Sequence, residues 1–194
     1  MDNRNPKIGE EDKTVRTMIL VIGLLLVKES SAQNWVEERT YVTVRAATPR
    51  IDGLFTAKIK GSMGGFVWFQ TQQGYSQAYG GGTFSPKPWL QLAIGAGLED
   101  SKHPARVGSY VWLGKGKIYG LAAFEDGGSG FWYKLETNYQ ATKMLGIGSL
   151  SERFKGSGPK VELSIPSTTL KLWLAPLVDR CTFRPVIGVR WNLK

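Results

Sequence analysis

The sequence has few of the residues on which most catalytic and metal sites depend. Cys181 and His103 are its only cysteine and its only histidine. One cysteine excludes an internal disulfide and a cysteine-rich metal cage, and no cluster of histidine and carboxylate residues has metal-ligand spacing. His103 lies in DSKHPA, near Asp100, Ser101 and Ser109, where a lone histidine before a proline is typical of a solvated loop. We therefore expect no catalytic residue, no metal and no cofactor, and a protein that is not an enzyme.

The sequence also lacks an apolar run long enough for a transmembrane helix. Its longest run, Met18 to Val27, has ten residues, whereas a spanning helix needs about 20. Arg16 precedes this run and small residues follow it, as in a signal peptide, although a buried strand or helix is the alternative. We expect residues 1–32 to be a signal peptide cleaved behind Ala32, with an over-long start, and residues 33–194 to be the mature protein.

Acidic side chains are outnumbered, 16 against 25 lysines and arginines, which gives a net charge of +9. The first 32 residues carry five of each sign, so the expected mature chain keeps the whole excess. Such a balance suits nucleic acid, an anionic membrane surface or acidic ligands. Export argues against nucleic acid as a partner.

No segment shows a convincing helical stripe, and the dominant pattern is alternation with a period of two. In WLQLAIGAGLED, from Trp89 to Asp100, aliphatic residues occupy one parity and small or polar residues the other. Because successive side chains of a strand point to opposite faces, each such segment has one aliphatic face. The same alternation occurs in FTAKIK, FWYKLETNY, KVELSI, TLKLWLA and VIGVRWNL. An all-β fold is therefore predicted.

The connections between these segments contain Gly, Pro, Ser and Asp, and short ones alternate with longer ones over eight connections. Such alternation is typical of an up-and-down barrel in the outer membrane, with short turns at one rim and longer loops at the other. The small or polar parity suits a crowded lumen, and aromatic residues lie towards the segment ends. A soluble lipocalin-like barrel would have the opposite orientation, with its aliphatic face inside.

These features resemble those of Gram-negative outer-membrane β-barrel proteins, from about Thr40 to Lys194. The resemblance implies that outer-membrane lipid and the barrel assembly machinery are partners. Such barrels typically end in an aromatic residue that the machinery reads, whereas this chain ends in Lys194, after PVIGVRWNL. It also implies that the aliphatic parity faces lipid, which includes Leu90, Leu92, Ile94, Leu163, Leu172, Val189 and Trp191.

We predict a single up-and-down transmembrane barrel of about twelve strands, with ten or eight as alternatives. The strands are expected to begin near Tyr41, Leu54, Phe66, Tyr75, Trp89, Arg106, Lys117, Phe131, Met144, Lys160, Thr169 and Val186. Both termini then lie on the periplasmic side.

If the aliphatic parity faces lipid, charged side chains of the other parity line the lumen. This set comprises Arg45, Lys58, Lys60, Lys134, Glu136, Lys160, Glu162, Lys171 and Arg190. The two carboxylates can pair with Lys134 and Lys160, which leaves five cations without an evident partner. The sequence thus predicts a small passive pore with a cationic lumen that favours small anionic solutes. A structural or surface-interaction barrel without conductance and a soluble exported binding barrel remain the alternatives.

Overall fold

Twelve antiparallel strands close into one barrel in the computed structural model, which describes residues 34–43 and 46–193. The strands are β1 Trp35–Val42, β2 Ala47–Lys60, β3 Met63–Gln72, β4 Tyr75–Lys87, β5 Leu90–Glu99, β6 Ala105–Lys115, β7 Ile118–Gly127, β8 Trp132–Gln140, β9 Leu145–Glu152, β10 Gly156–Ser164, β11 Leu170–Asp179 and β12 Thr182–Asn192. Each strand pairs with its neighbours in sequence, and β1 pairs with β12. The predicted twelve-strand up-and-down barrel is confirmed.

The first and the last strand place the two ends of the barrel chain at the same rim. Trp35 pairs with Asn192, so the start of β1 and the end of β12 lie at one rim, called here the terminal rim. The turns after β2, β4, β6, β8 and β10 share it, and the other turns lie at the opposite rim. Among the described residues, no helix is long and apolar enough to cross a membrane.

Most strand positions agree with the sequence pattern, and the first two do not. From β3 onward, the strands begin within four residues of the predicted positions. β1 begins at Trp35 rather than near Tyr41, and β2 at Ala47 rather than near Leu54. The prediction was wrong there because Glu38 and Thr40 interrupt the aliphatic outward face of β1, and Pro49 and Gly53 interrupt that of β2.

The predicted alternation of short and long connections is wrong. The eight connections in question have two to five residues, with the same range at both rims. Residues expected in long loops, such as Pro176 and Asp179, continue the strands instead. The β11–β12 hairpin turns on Arg180 and Cys181, whose φ angles of 43° and 67° suit a two-residue turn.

The outer wall of the barrel is apolar. Ile94 and Leu98 are 73% and 64% exposed, and aliphatic or aromatic side chains occupy the outward parity of most strands. A soluble protein rarely exposes so continuous an apolar surface, whereas a transmembrane barrel presents it to lipid. Of the residues expected to face lipid, Leu92, Ile94, Leu163, Leu172, Val189 and Trp191 are exposed and Leu90 is half-buried.

Candidate functional site in the barrel interior

The interior of the described barrel is rich in charge. Thirteen charged residues are buried there, and Lys171 joins them with a half-buried side chain. We call these fourteen residues the lumen network: Glu37, Arg39, Arg50, Asp52, Glu99, Arg106, Glu125, Lys134, Glu136, Glu152, Lys160, Glu162, Lys171 and Arg190. Seven are cationic and seven are anionic. The network is therefore balanced in formal charge.

One part of the network joins β8, β10 and β11 across β9. Lys160 Nζ lies 3.2 Å from Glu162 Oε2 on the same strand, β10. It also lies 2.6 Å from Glu136 Oε1 on β8, although β9 separates the two strands. The inward residue of β9 between Lys160 and Asn138 is Gly148, which has no side chain to block the contact. Gly148 thus leaves space for a charged side chain of β10 to contact one of β8.

A second part of the network joins the first and last strands to β8. The Arg190 guanidinium on β12 lies 2.5 Å from Glu37 on β1 and 3.0 Å from Glu136 on β8. Lys134 Nζ lies 3.1 Å from Glu136 and 5.5 Å from the centre of the Trp35 ring. Three strands separate β12 from β8 around the wall, so the Arg190–Glu136 pair crosses the lumen.

Glu152 makes the second crossing. Its carboxylate lies 2.5 Å from Arg50 Nη1 on β2 and 3.2 Å from Arg39 Nη1 on β1, and Tyr41 donates a 2.9 Å hydrogen bond to it. Asp52 accepts from the same two arginines. These residues are at most 2–3% exposed. These buried side chains bridge the lumen from one side of the wall to the other.

A smaller part of the network lies under the opposite rim between β5 and β7. Arg106 pairs with Glu99 and, at 2.9 Å, with Glu125. Gln77 and Tyr79 on β4 donate hydrogen bonds of 2.8 Å and 3.0 Å to Glu125.

The rest of the interior is filled by aromatic rings. Phe66 packs edge-on against Tyr79 and Tyr110, with ring centres 5.8 Å and 5.1 Å away, and Trp68 stacks on Tyr79. The small parity of β5 makes room for them, since a Cβ at Gly95 would lie 2.9 Å from the Phe66 ring. The small face of WLQLAIGAGLED therefore packs against rings inside the barrel.

Cavities open from both rims towards the network. At the opposite rim, a cavity of about 190 Å³ is lined by Arg50, Arg106 and Glu152 among others. At the terminal rim, one of about 140 Å³ reaches Glu136 and Arg190, and one of about 430 Å³ is lined by Lys58. The cross-lumen ion pairs lie between the two ends.

The structure places the predicted lumen charges in three groups. Lys134, Glu136, Lys160, Glu162 and Arg190 are buried in the network, and Lys171 is half-buried in it. Lys58 and Lys60 are exposed at the terminal-rim end of β2. Arg45 lies outside the described residues.

The expectation that Lys171 and Arg190 lack partners is wrong. Lys171 Nζ lies 2.6 Å from Glu162, and Arg190 pairs with Glu37 and Glu136. The Arg190 contacts join strands that are distant in sequence, and the Lys171 contact depends on the conformation of one side chain. Alternation along one strand could therefore not reveal either of them.

Sequence reasoning missed eight members of the network, which lie in β1 and β2 or near the opposite-rim ends of strands. They are Glu37, Arg39, Arg50, Asp52, Glu99, Arg106, Glu125 and Glu152. Inward parity was the available signal. This signal is weak there, because the sequence pattern predicts loops in these segments or gives them no distinct face.

Lysines surround the terminal rim. Lys58, Lys60 and Lys87 lie at the ends of β2 and β4, and Lys115, Lys117 and Lys143 in or beside the next two turns. No aspartate or glutamate stands in the described turns of this rim. The mouth of the barrel at this rim is therefore electropositive.

His103 lies exposed in the β5–β6 loop, where Ser101 Oγ donates to its carbonyl oxygen. In the part of the chain that the structure describes, no group of three or more His, Cys, Asp or Glu residues could hold a metal ion.

Solved structures that resemble the chain include two porins and one outer membrane protein. The KdgM porin is 13% identical, with a TM-score of 0.56 over 82% of this chain and 99% of the porin. The NanC porin is 11% identical, with a TM-score of 0.51 over 83% and 99%. Omp33 of Acinetobacter baumannii is 8% identical, with a TM-score of 0.52 over 84% and 100%. No protein-family model and no curated protein sequence matches the chain. The chain has the fold of a small porin-like outer-membrane barrel.

Proposed function

We propose that the protein is a narrow passive pore of the outer membrane that favours small anionic solutes. The observation that carries this proposal is a charged interior reached by cavities from both rims. A barrel with a purely structural role could fill its interior with apolar side chains, which would avoid the desolvation free energy of buried ions. The proposal includes export with cleavage behind Ala32 and insertion into outer-membrane lipid by the barrel assembly machinery.

The selectivity arises at the mouth of the pore. The lumen network is balanced in charge, so it gives no strong preference for one sign of ion. The lysines of the terminal rim raise the local concentration of anions, and Lys58 lines the 430 Å³ cavity through which they enter. The cross-lumen ion pairs form the constriction, which keeps the conductance low.

Planar-bilayer recordings of the purified protein test this function. We expect a small conductance with chloride preferred over potassium at about 0.1 M salt, and a weaker preference at about 1 M, since the Debye length falls from about 10 Å to about 3 Å. The double variant K58E/K60E should reverse or abolish the preference. K117E/K143E changes the charge of the same rim equally but lies outside the cavity, so its effect should be smaller.

A second candidate function is a structural barrel that does not conduct. Complete burial of Arg39 and Lys134 in the middle of the lumen favours it. Absence of any conductance from protein that is well inserted and resists unfolding would establish this candidate and reject the pore.

A further inference from the structure

A cleft of about 610 Å³ opens at the opposite rim of the barrel, where both outward and inward residues line it. Its floor includes Tyr133, Ser157 and Val178, which have the outward parity of β8, β10 and β11. Val178 is 52% exposed, and Ser157 shares a 2.7 Å hydroxyl contact with Ser151. This floor belongs to the surface that faces lipid.

Three arginines line the top of the same cleft. Arg153 comes from the β9–β10 turn, Arg180 from the β11–β12 turn and Arg184 from the start of β12. Arg153 is held in place, because it donates to the Phe131 carbonyl and its guanidinium lies 4.7 Å from the centre of the Phe154 ring. Turns that are adjacent around the rim thus bring these cations together.

The carboxylates that line the cleft neutralise at most one of these three cations. Glu152 is buried and pairs with Arg39 and Arg50 of the lumen network. Asp179 lies 3.7 Å from Arg184, which also donates to the Phe154 carbonyl. Arg153 and Arg180 make no ion pair with a carboxylate of the described residues, so the cleft keeps a positive charge.

We propose that this cleft binds the phosphate-bearing headgroup of an anionic membrane lipid. The arginines match the phosphate in charge and can hold it by charge-assisted hydrogen bonds. Beside the arginines, Val178 and Tyr133 and the exposed rings of Phe131, Phe154 and Phe183 form an apolar surface that accommodates the acyl chains. A cluster of arginines next to an apolar surface is better suited to bind an amphiphilic lipid than a free anion. With the termini on the periplasmic side, this lipid belongs to the outer leaflet.

Native mass spectrometry of the folded full-length mature barrel in detergent tests the proposal, with phosphatidylglycerol and phosphatidylcholine as probes. The unchanged protein should retain phosphatidylglycerol in preference to phosphatidylcholine. The variant R153Q/R180Q/R184Q should bind phosphatidylglycerol roughly tenfold or more weakly than the unchanged protein. The reason is that each arginine close to an anionic lipid adds to the binding affinity, as a basic residue does at an anionic membrane surface. K115Q/K117Q/K143Q removes three charges at the terminal rim and should bind like the unchanged protein.

R180Q alone keeps the test informative, because Arg180 is exposed in a turn and its replacement does not disturb the wall. It should weaken binding by a smaller factor, with the heat-dependent gel mobility of the folded barrel unchanged. Equal retention of both lipids, or equal losses in the two triple variants, would overturn the proposal. Displacement of the lipid by millimolar inorganic phosphate would assign the cleft to a free anion and also overturn it. Conductance is measured separately, so failure here leaves the proposed pore untouched.

Discussion

Glu38 is the charged residue whose position departs most from the outward pattern. It has the lipid-facing parity of β1, and its cross-strand partners are Ile51 and Val189, both exposed and apolar. Thr40 Oγ1 donates a 2.8 Å hydrogen bond to its carboxylate. Away from the strand ends, no other charged side chain of the described strands shares the outward parity. Its neighbour Glu37 points inward and is fully paired, so adjacent glutamates stand in opposite environments.

Replacing Glu38 with leucine should stabilise the barrel, because a lipid-facing charge is unfavourable near the middle of the wall. We expect the free energy of unfolding in lipid vesicles to rise by about 1 kcal/mol. The matched variant is E37L, which leaves Arg190 and Arg39 buried without this partner and should lower the same free energy by about 3–5 kcal/mol. Urea titration of both variants measures the difference. A loss of stability in E38L would contradict the assignment of this face to lipid.

At the scale of single strands, orientation with respect to lipid is the property that alternation encodes best. β5 shows this: Leu92, Ile94 and Leu98 face outward, whereas Gln91 and Ala93 are buried. The outward residues carry no function beyond contact with lipid, so the effect of substituting them depends on depth alone. Ile94 lies near the middle of β5, and Leu90 lies at its terminal-rim end.

A lysine at Ile94 should therefore cost about 2–4 kcal/mol of stability in lipid, and a lysine at Leu90 about 0–1 kcal/mol. The yield of folded barrel, followed by heat-dependent gel mobility, and urea unfolding in vesicles report both values. If I94K folded as well as L90K, the wall around β5 would not be embedded in hydrocarbon.

The sequence pattern predicts strands well where one face is uniformly aliphatic, as in β5, β10 and β11. It fails in β1, where Glu38 and Thr40 interrupt the outward face and Glu37 and Arg39 occupy the inward one. The ion pairs of the interior could be predicted even less. Whether Glu152 meets Arg50 depends on how far the closed sheet is sheared and on how wide it is, and neither quantity is readable from one strand.

At the scale of the whole molecule, contacts across the lumen matter more than contacts along the wall. Glu152 joins β9 to β1 and β2, and Arg190 joins β12 to β8. If these pairs form the constriction, removing one charge-balanced pair should widen the path.

The double variant R50A/E152A should raise the single-channel conductance severalfold over the unchanged protein, because two long side chains leave the lumen together. R184A/D179A removes an equally balanced pair at the opposite rim and serves as the control, with no expected change in conductance. Single-channel recordings in planar bilayers compare the three proteins. An unchanged conductance in R50A/E152A would show that another part of the interior limits the flow.

The pairing of Glu37 with Arg190 also bears on the order of assembly. These residues stand on the first and last strands, so they meet only when the sheet closes on itself. In an open sheet, water would have to replace this contact, because a charge that loses a partner in a dry interior is strongly destabilised. The removal of water from these two side chains and the closure of the β1–β12 seam are therefore one kinetic event. In a chain that stalls before this event, the two charges would stay hydrated.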